Sequence, residues 1–347
     1  MNYDAGAQQM VCGFCQHAMP IAASEGQRAI VEYDLEQGLA MARERGFGTQ
    51  TRTVTCKECG ASVSFPEKLT AHACDFCGSA QVLEQDANRN VIRPESLVPF
   101  QVDKEVAGDK FSGWLKGLWF RPSNLKHQAK VSEMNGVYVP YWTFDAHVHS
   151  DWTAQAGYYY YETEYYTETD AQGNQVQKSR QVRHTRWQPA WGARNDVYDD
   201  ILVCASKGLP DDLATRLRTF DTSSLQPYQA SFLSGWKAEE YAVTLNDGWK
   251  QAVNQIESTQ YGRCGSDVPG DTHRSLNVVN TYSSETFKHI LMPIWISAYR
   301  YNDKVFRFLV NGQTGEVTGK APYSIIKIVL FITVLVGIIV AIAMLSR

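Results

Sequence analysis

The chain lacks the loops and turns on which the common catalytic chemistries are built. It has no Gly-x-x-x-x-Gly-Lys-Ser/Thr loop to cradle phosphates, no Gly-x-Ser-x-Gly elbow to lift a serine nucleophile and no His-Glu-x-x-His helix to hold a catalytic zinc. An enzyme is therefore not the expectation. It also has no excess of one charge: 33 Lys and Arg against 37 Asp and Glu give a net of −4, so no global field draws it to nucleic acid or anionic lipid. The N-terminus, MNYDAGAQQM, has neither a basic stretch nor an apolar core, so no secretory signal is read there.

What the chain does have is aromatic. Its 18 Tyr, 14 Phe and 9 Trp suit β structure. It also has eight cysteines, six of them in the Cys-x-x-Cys pairs Cys12/Cys15, Cys56/Cys59 and Cys74/Cys77, with Cys204 and Cys264 standing alone. Spacing this tight favours metal over a disulfide framework, which a chain of 347 residues does not need. Reduced thiols in turn imply the cytoplasm.

Fourteen residues separate Cys59 from Cys74, and a glycine follows each pair, Gly60 and Gly78. Two thiolates on each of two tight turns complete a tetrahedral Cys₄ site for structural Zn²⁺, with ASVSFPEKL between them reading as a short strand of a zinc-ribbon hairpin. A closed four-thiolate site supplies folding energy and a binding surface, with no open position for catalysis. Over residues 51 to 80, Arg52, Lys57 and Lys68 balance Glu58, Glu67 and Asp75, so the ribbon reads as protein-facing or structural; one that binds phosphates would be basic.

Cys12 and Cys15 form a knuckle with no partner pair before Asp34, where a helix LEQGLAMARER is expected with Asp34 as N-cap and Gly46 beyond its end. They are read as a partial second zinc site. His17 or the lone thiols could complete it; alternatively Met1 lies inside the domain and upstream codons encode the missing pair.

A continuous body is expected over residues 96–322. Phe111, Trp114, Leu115 and Leu118 fall at helical spacing before Pro122, and Ser123 can cap a second helix around LKHQAKVSEM. Two runs flanking AQGN read as a long hairpin, with Glu162, Glu164 and Glu168 on one strand and Lys178, Arg180, Arg183 and Arg186 on the other. Interleaved Tyr and Arg there could alternatively stack on nucleotide bases. Asp145, His147, His149 and Asp151 alternate along a strand and share a face, the basis for a metal-dependent enzyme as an alternative reading. Helices are expected at PDDLATRL and NDGWKQAVNQIES, and Cys204, after ILV, reads as buried. Strands return in HILMPIWISAYRYNDKVFRFLVNGQTGEVTG, with turns at Asn302-Asp303 and Asn311-Gly312. Pro293-Ile-Trp295 there echoes Pro140-Tyr-Trp142, pointing to an internal duplication, and a proline inside each run points to an edge or bulge.

From Ile328 to Leu345 the chain runs eighteen residues without a charge or proline, about 27 Å as a helix and close to the thickness of a hydrocarbon core. Lys320 and Lys327 precede it and only Ser346 and Arg347 follow. A single-pass tail anchor is expected, with the N-terminal mass cytoplasmic and the inner membrane as its location.

The ordered segments VEYDLEQGL, TCKECGASVSF, CDFCGS, RPESLVPF, WLKGLWFRPSNLK, GVYVPYWTFDA, QVRHTRW, DDILV, FKHILMPIWISAYRY and VNGQTGEVTGKAPYS resemble, over almost the whole chain, a bacterial family of membrane-anchored zinc-ribbon proteins. Its members are often labelled primosomal protein N′, a superfamily II helicase, or transcription-factor-IIB-type zinc-ribbon proteins; the helicase label finds no phosphate loop here. The resemblance implies two ribbons, mapped onto Cys56, Cys59, Cys74 and Cys77 and in part onto Cys12 and Cys15. It also implies partners of the SPFH-domain or phage-shock-protein-A-like kind, beside which similar proteins are encoded.

The expected architecture is α+β: a partial zinc ribbon plus helix at 1–48, a complete Cys₄ ribbon at 49–95, the α+β body at 96–322 and a transmembrane helix at 323–347. The expected role is a membrane-anchored adaptor, possible in envelope stress, with nucleic-acid binding as the alternative outside enzymes.

Overall fold

The computed structural model describes residues 1–21, 29–40, 51–57, 61–66, 74, 76, 82–86, 92–125, 130–131, 134–169, 173–217, 219–302 and 304–345. In chain order the elements are β1 (Asn2–Asp4), β2 (Gln9–Val11), β3 (Ala18–Met19), β4 (Tyr33–Asp34), α1 (Leu35–Ala40), β5 (Thr51–Cys56), β6 (Ser62–Pro66), β7 (Val82–Asp86), β8 (Ser96–Leu97), α2 (Lys104–Gly117) and β9 (Lys130–Val131). Then come β10 (Asn135–Thr169), β11 (Gln175–Cys204), α3 (Asp211–Arg216), β12 (Gln226–Pro227), β13 (Lys237–Glu239), α4 (Leu245–Asp267), β14 (Thr272–Tyr301), β15 (Lys304–Asn311), β16 (Val317–Gly319) and α5 (Ile325–Leu345). They form two compact units: Met1–Thr143 with Leu202–Gly248 and Phe287–Arg347, and Phe144–Ile201 with Trp249–Thr286. The protein is thus mixed α+β, with long antiparallel strands and one apolar C-terminal helix.

The first unit is built twice over on one hydrogen-bonding plan. In one half Ser96–Leu97 pairs in parallel with Ile290–Leu291; in the other, Lys237–Ala238 pairs in parallel with Val137–Tyr138. Two residues further along each long strand stands a proline, and the carbonyls of Pro293 and Pro140 accept from the N–H of Gly312 (2.8 Å) and Ala205 (2.9 Å). The Gly312 carbonyl accepts from Gln101 and Val102 (2.9 and 2.8 Å), and the Ala205 carbonyl from Ala242 and Val243 (2.8 and 3.0 Å). Trp295 then donates its indole N–H to the Val102 carbonyl (2.8 Å), as Trp142 does to Val243 (2.9 Å). The next residues, Asp103 and Thr244, cap α2 and α4 by accepting from the N–H of Val106 (2.8 Å) and Asp247 (3.2 Å). The echo of Pro-x-Trp is therefore a structural repeat, in which the short strand preceding each capped helix pairs with the long strand that is not its own neighbour in sequence: β8 with β14 and β13 with β10.

Neither proline marks a sheet edge. β10 and β14 lie side by side in the interior of the strand order β12-β8-β14-β10-β13-β6-β5-β7. Each proline sits where its strand changes partner: β14 leaves β8 after Leu291 and takes up β15 at Ile294. A residue without an N–H fits that gap in the ladder.

Other local expectations fare variously. Asp34 caps α1 through Gln37 N–H (2.8 Å), while Gly46 lies outside the described residues. Along α2, Phe111 and Leu115 are buried, with Trp114 and Leu118 packed beside them. The helix expected over LKHQAKVSEM does not extend through it, because Lys130–Val131 pairs as a strand with Arg300–Tyr299 of β14. Asn302 takes the left-handed backbone (φ 46°) expected of a turn between β14 and β15.

In the second unit, strands β14, β10 and β11 carry α4 on one face. Ala146, Val148, Trp152, Ala154 and Ala156 of β10 meet Ile256, Cys264 and Val268 of the helix segment. Its polar rivets are ionic: Arg194 holds Asp196 (2.6 Å) and Asp267 (2.7 Å), and Arg263 holds the other oxygen of Asp196 (2.7 Å). The Arg194 contact pulls the Asp196 carboxyl down to about 2.

Trp142→Phe and Trp295→Phe should each destabilise the first unit by about 1–3 kcal/mol, since each leaves a buried carbonyl without its indole donor. Denaturant unfolding of the detergent-solubilised chain measures this, and losses of similar size are expected from the two positions.

Candidate metal centre

Strand β5 delivers Cys56 to the end of a hairpin whose register runs from Thr51 opposite Pro66 to Thr55 opposite Ser62. The Thr55 and Ser62 hydroxyls share a hydrogen bond (2.6 Å), and the Cys56 N–H closes the turn on the Ala61 carbonyl (2.9 Å). β7 pairs along the other side of β5, giving three antiparallel strands. Cys56 and Cys74, 2% and 8% exposed, lie in one apolar cluster with Val54, Ala61, Val63 and Phe76. Cys59 and Cys77, the other two expected ligands, fall outside the described residues.

The N-terminal knuckle has the same backbone closure. Cys12 comes directly after β2 as Cys56 ends β5, and its N–H, like that of Cys56, donates to the carbonyl five residues on, here that of His17, at 2.9 Å. Gln16 returns its N–H to the Cys12 carbonyl (2.9 Å) from a left-handed backbone (φ 57°). The N–H groups of Cys15 and Phe14, with the Cys15 thiol, draw the Cys12 thiol down to about 7. Here Cys12 is half-buried and Cys15 exposed. Of the lone cysteines, Cys264 is buried beneath Trp152 in the second unit, and Cys204 packs against the cluster that holds Cys56 and Cys74.

The three strands β5, β6 and β7 join the body edge to edge. β6 pairs with β13, Ser64 opposite Ala238 and Val63 opposite Glu239, and Glu240 N–H donates to the Ser62 carbonyl (2.9 Å). Gly208 gives the room for this: a Cβ there would come within 2.5 Å of Ala61 Cβ and 2.7 Å of the Phe76 ring. Glu239, which nothing in the sequence singles out, is fully buried, and among the described residues no group completes a hydrogen bond of normal geometry to either carboxyl oxygen. Ser206 Oγ nearby is engaged by the N–H of Gly208 and Leu209. Burial lifts the Glu239 carboxyl to about 8, with Ser206 and Gly208 offsetting the rise in part.

The alternating row in the second unit does share one face, the one opposite α4. Asp145, however, accepts from Asp200 N–H (2.6 Å) and Thr286 Oγ1 (2.9 Å), and His149 pairs with Asn195 (2.7 Å) and Asp151 (3.5 Å). Among the described residues, neither His147 nor His149 belongs to a group of three ligand atoms within 4.8 Å of one another.

The hairpin β10–β11 sets its charges against each other. Lys178 meets Glu168 (2.6 Å), Arg180 meets Glu164 (2.8 Å) and His184 lies 3.8 Å from Glu162. Arg183 lies over the Tyr159 ring at 4.2 Å and Arg180 over Tyr166 at 5.8 Å. Lys178, Arg180, Arg183 and His184 are thus engaged within their own hairpin.

The chain is similar to a Bacillus subtilis (strain 168) protein, "Uncharacterized protein YdjG", with 28% identity over 242 residues. The match takes in 67% of this chain and spans 65% of that protein's length. No protein-family profile matches the chain, and no solved structure matches it.

The buried Glu239 makes stability pH-dependent. Its folded-state proton is held up to about pH 8, whereas in the unfolded chain it leaves near the ordinary carboxyl value of 4.5. The stabilisation is complete below the lower value and falls by about 1.4 kcal/mol per pH unit as pH rises through the window, ending above the upper one. Glu239→Gln should flatten that slope and raise stability at pH 8, measured by unfolding at a series of pH values.

Proposed function

We propose that the protein is a membrane-anchored adaptor whose zinc-stabilised ribbons and β body hold protein partners against a bilayer. The observation that carries this reading is the pairing, in one chain, of two cysteine knuckles closed by the same backbone bond with a helix, α5, that is apolar and exposed over most of its length. Thiolates Cys56, Cys59, Cys74 and Cys77 would hold one Zn²⁺, and Cys12 and Cys15 belong to a partial second site. The donor set fits: the described thiols, Cys56 at the end of β5 and Cys74 in the segment before β7, are buried in one cluster. Zinc there supplies folding energy, tying β5, β6 and β7 together.

Helix α5, with 21 residues, is long enough at about 1.5 Å per residue to cross a hydrocarbon core of ~30 Å. Lys320 before it and Lys327 in its first turn support an orientation with the N-terminal mass in the cytoplasm, at the inner membrane. The partners proposed are membrane scaffolds of the SPFH-domain or phage-shock-protein-A-like kind.

Elemental analysis of the purified chain should find zinc. Cys56→Ser or Cys74→Ser should each remove about one ion, while Cys12→Ser spares it. Zinc content unchanged by the first two substitutions would contradict the site. Affinity purification with the anchor intact should return a scaffold partner that Cys56→Ser loses; recovery of none would contradict the adaptor role.

A further inference from the structure

Between α2 and the strand that follows, the chain makes a turn that lies against the root of α5. Phe120 carbonyl accepts from Ser324 N–H (2.8 Å), and the Trp119 carbonyl accepts from Lys327 Nζ (3.2 Å). Arg121 donates to the Ala321 carbonyl and lies over the Tyr323 ring at 3.7 Å. The Phe120 ring meets Phe331 edge-on, centroids 5.3 Å apart. Phe331 is the seventh residue of α5, about 9 Å along its axis. Trp119 is nevertheless 77% exposed and Tyr323 67%.

A helix of this length fills the hydrocarbon core almost completely, so its first turn lies at the boundary and Phe331 lies within the acyl region. A turn fastened to residues 323, 324, 327 and 331 must go with it. We infer that Leu118–Arg121 is an interfacial wedge that seats the body on the phospholipid surface. Trp119 and Tyr323 lie at headgroup level, Phe120 against the upper acyl chains, and Arg121 and Lys327 at the phosphates. This is the distribution of aromatic and basic residues that bilayer interfaces select. Its consequence is rigid coupling: β16 ends at Gly319, and the few residues from there to α5 are pinned by Phe120 and Arg121, so the body is held at a fixed attitude to the membrane.

The inference rests on α5 being a membrane helix, and the test separates the two. The full chain is reconstituted in vesicles of phosphatidylcholine and phosphatidylglycerol whose acyl chains carry bromine either near the ester or near the terminal methyl. The difference in tryptophan emission between the unchanged chain and Trp119→Phe isolates Trp119. Loss of its emission with the shallow bromines, and not with the deep ones, is the expected result. Ile339→Trp, placed in the Trp119→Phe background, reports the helix interior and should be quenched by the deep bromines. Trp119 unquenched while position 339 is quenched overturns the wedge alone; no quenching at 339 overturns the membrane helix and the wedge with it.

Discussion

A strand of three residues, Lys237–Glu239, joins the parts of the first unit. On one side it runs parallel to β10, completing one half of the internal repeat; on the other it runs antiparallel to β6, carrying the three strands β5–β7. The register on both sides is set within it, so a slip of one residue would turn Ala238 out of the core and move Val63 off its place opposite Glu239. Trp236, immediately before it, fixes the register by stacking on Phe100 (4.0 Å) and donating to the Tyr3 carbonyl (2.8 Å). The N-terminal sheet, the strands β5–β7 and the repeated body thus meet at one short element.

Long elements were legible in the sequence and short ones were not. The charge pattern of the hairpin, the helical stripe through Phe111 and Leu115, and the Pro-x-Trp echo all follow from spacing alone. β8, β12 and β13, at two or three residues, are too short to carry a period, and their pairing is imposed by the long strands beside them. α4 runs on to Asp267, well past the apolar pattern that announces it, through Gly262 and Gly265. Its last turns are held by Arg263 and Asp267 on the Arg194–Asp196 pair, which outweighs weak local propensity. β14 likewise begins at Thr272, far ahead of its apolar run, because a strand with one open face tolerates the polar sequence RSLNVVNTYSSE.

The cysteines show both sides of this. Spacing pairs the cysteines, and the structure adds that Cys12 and Cys56 close their turns through the same N–H to carbonyl bond. Glu239 gave no sign, because a glutamate in KAEEY looks like any solvated one. Only the pairing with Val63 puts it inside. The two features bear on the same boundary: the hairpin that ends in Cys56 is held to the body by a backbone ladder beside a carboxyl that burial pushes toward its protonated form.

An adaptor of this kind depends on its ribbon being a closed metal site in the membrane-bound chain. X-ray absorption at the zinc edge, taken on the full chain in its membrane, tests this most directly. Four sulfur ligands at about 2.3 Å are predicted; nitrogen or oxygen coordination in their place, or a membrane-bound chain without zinc, would contradict the account.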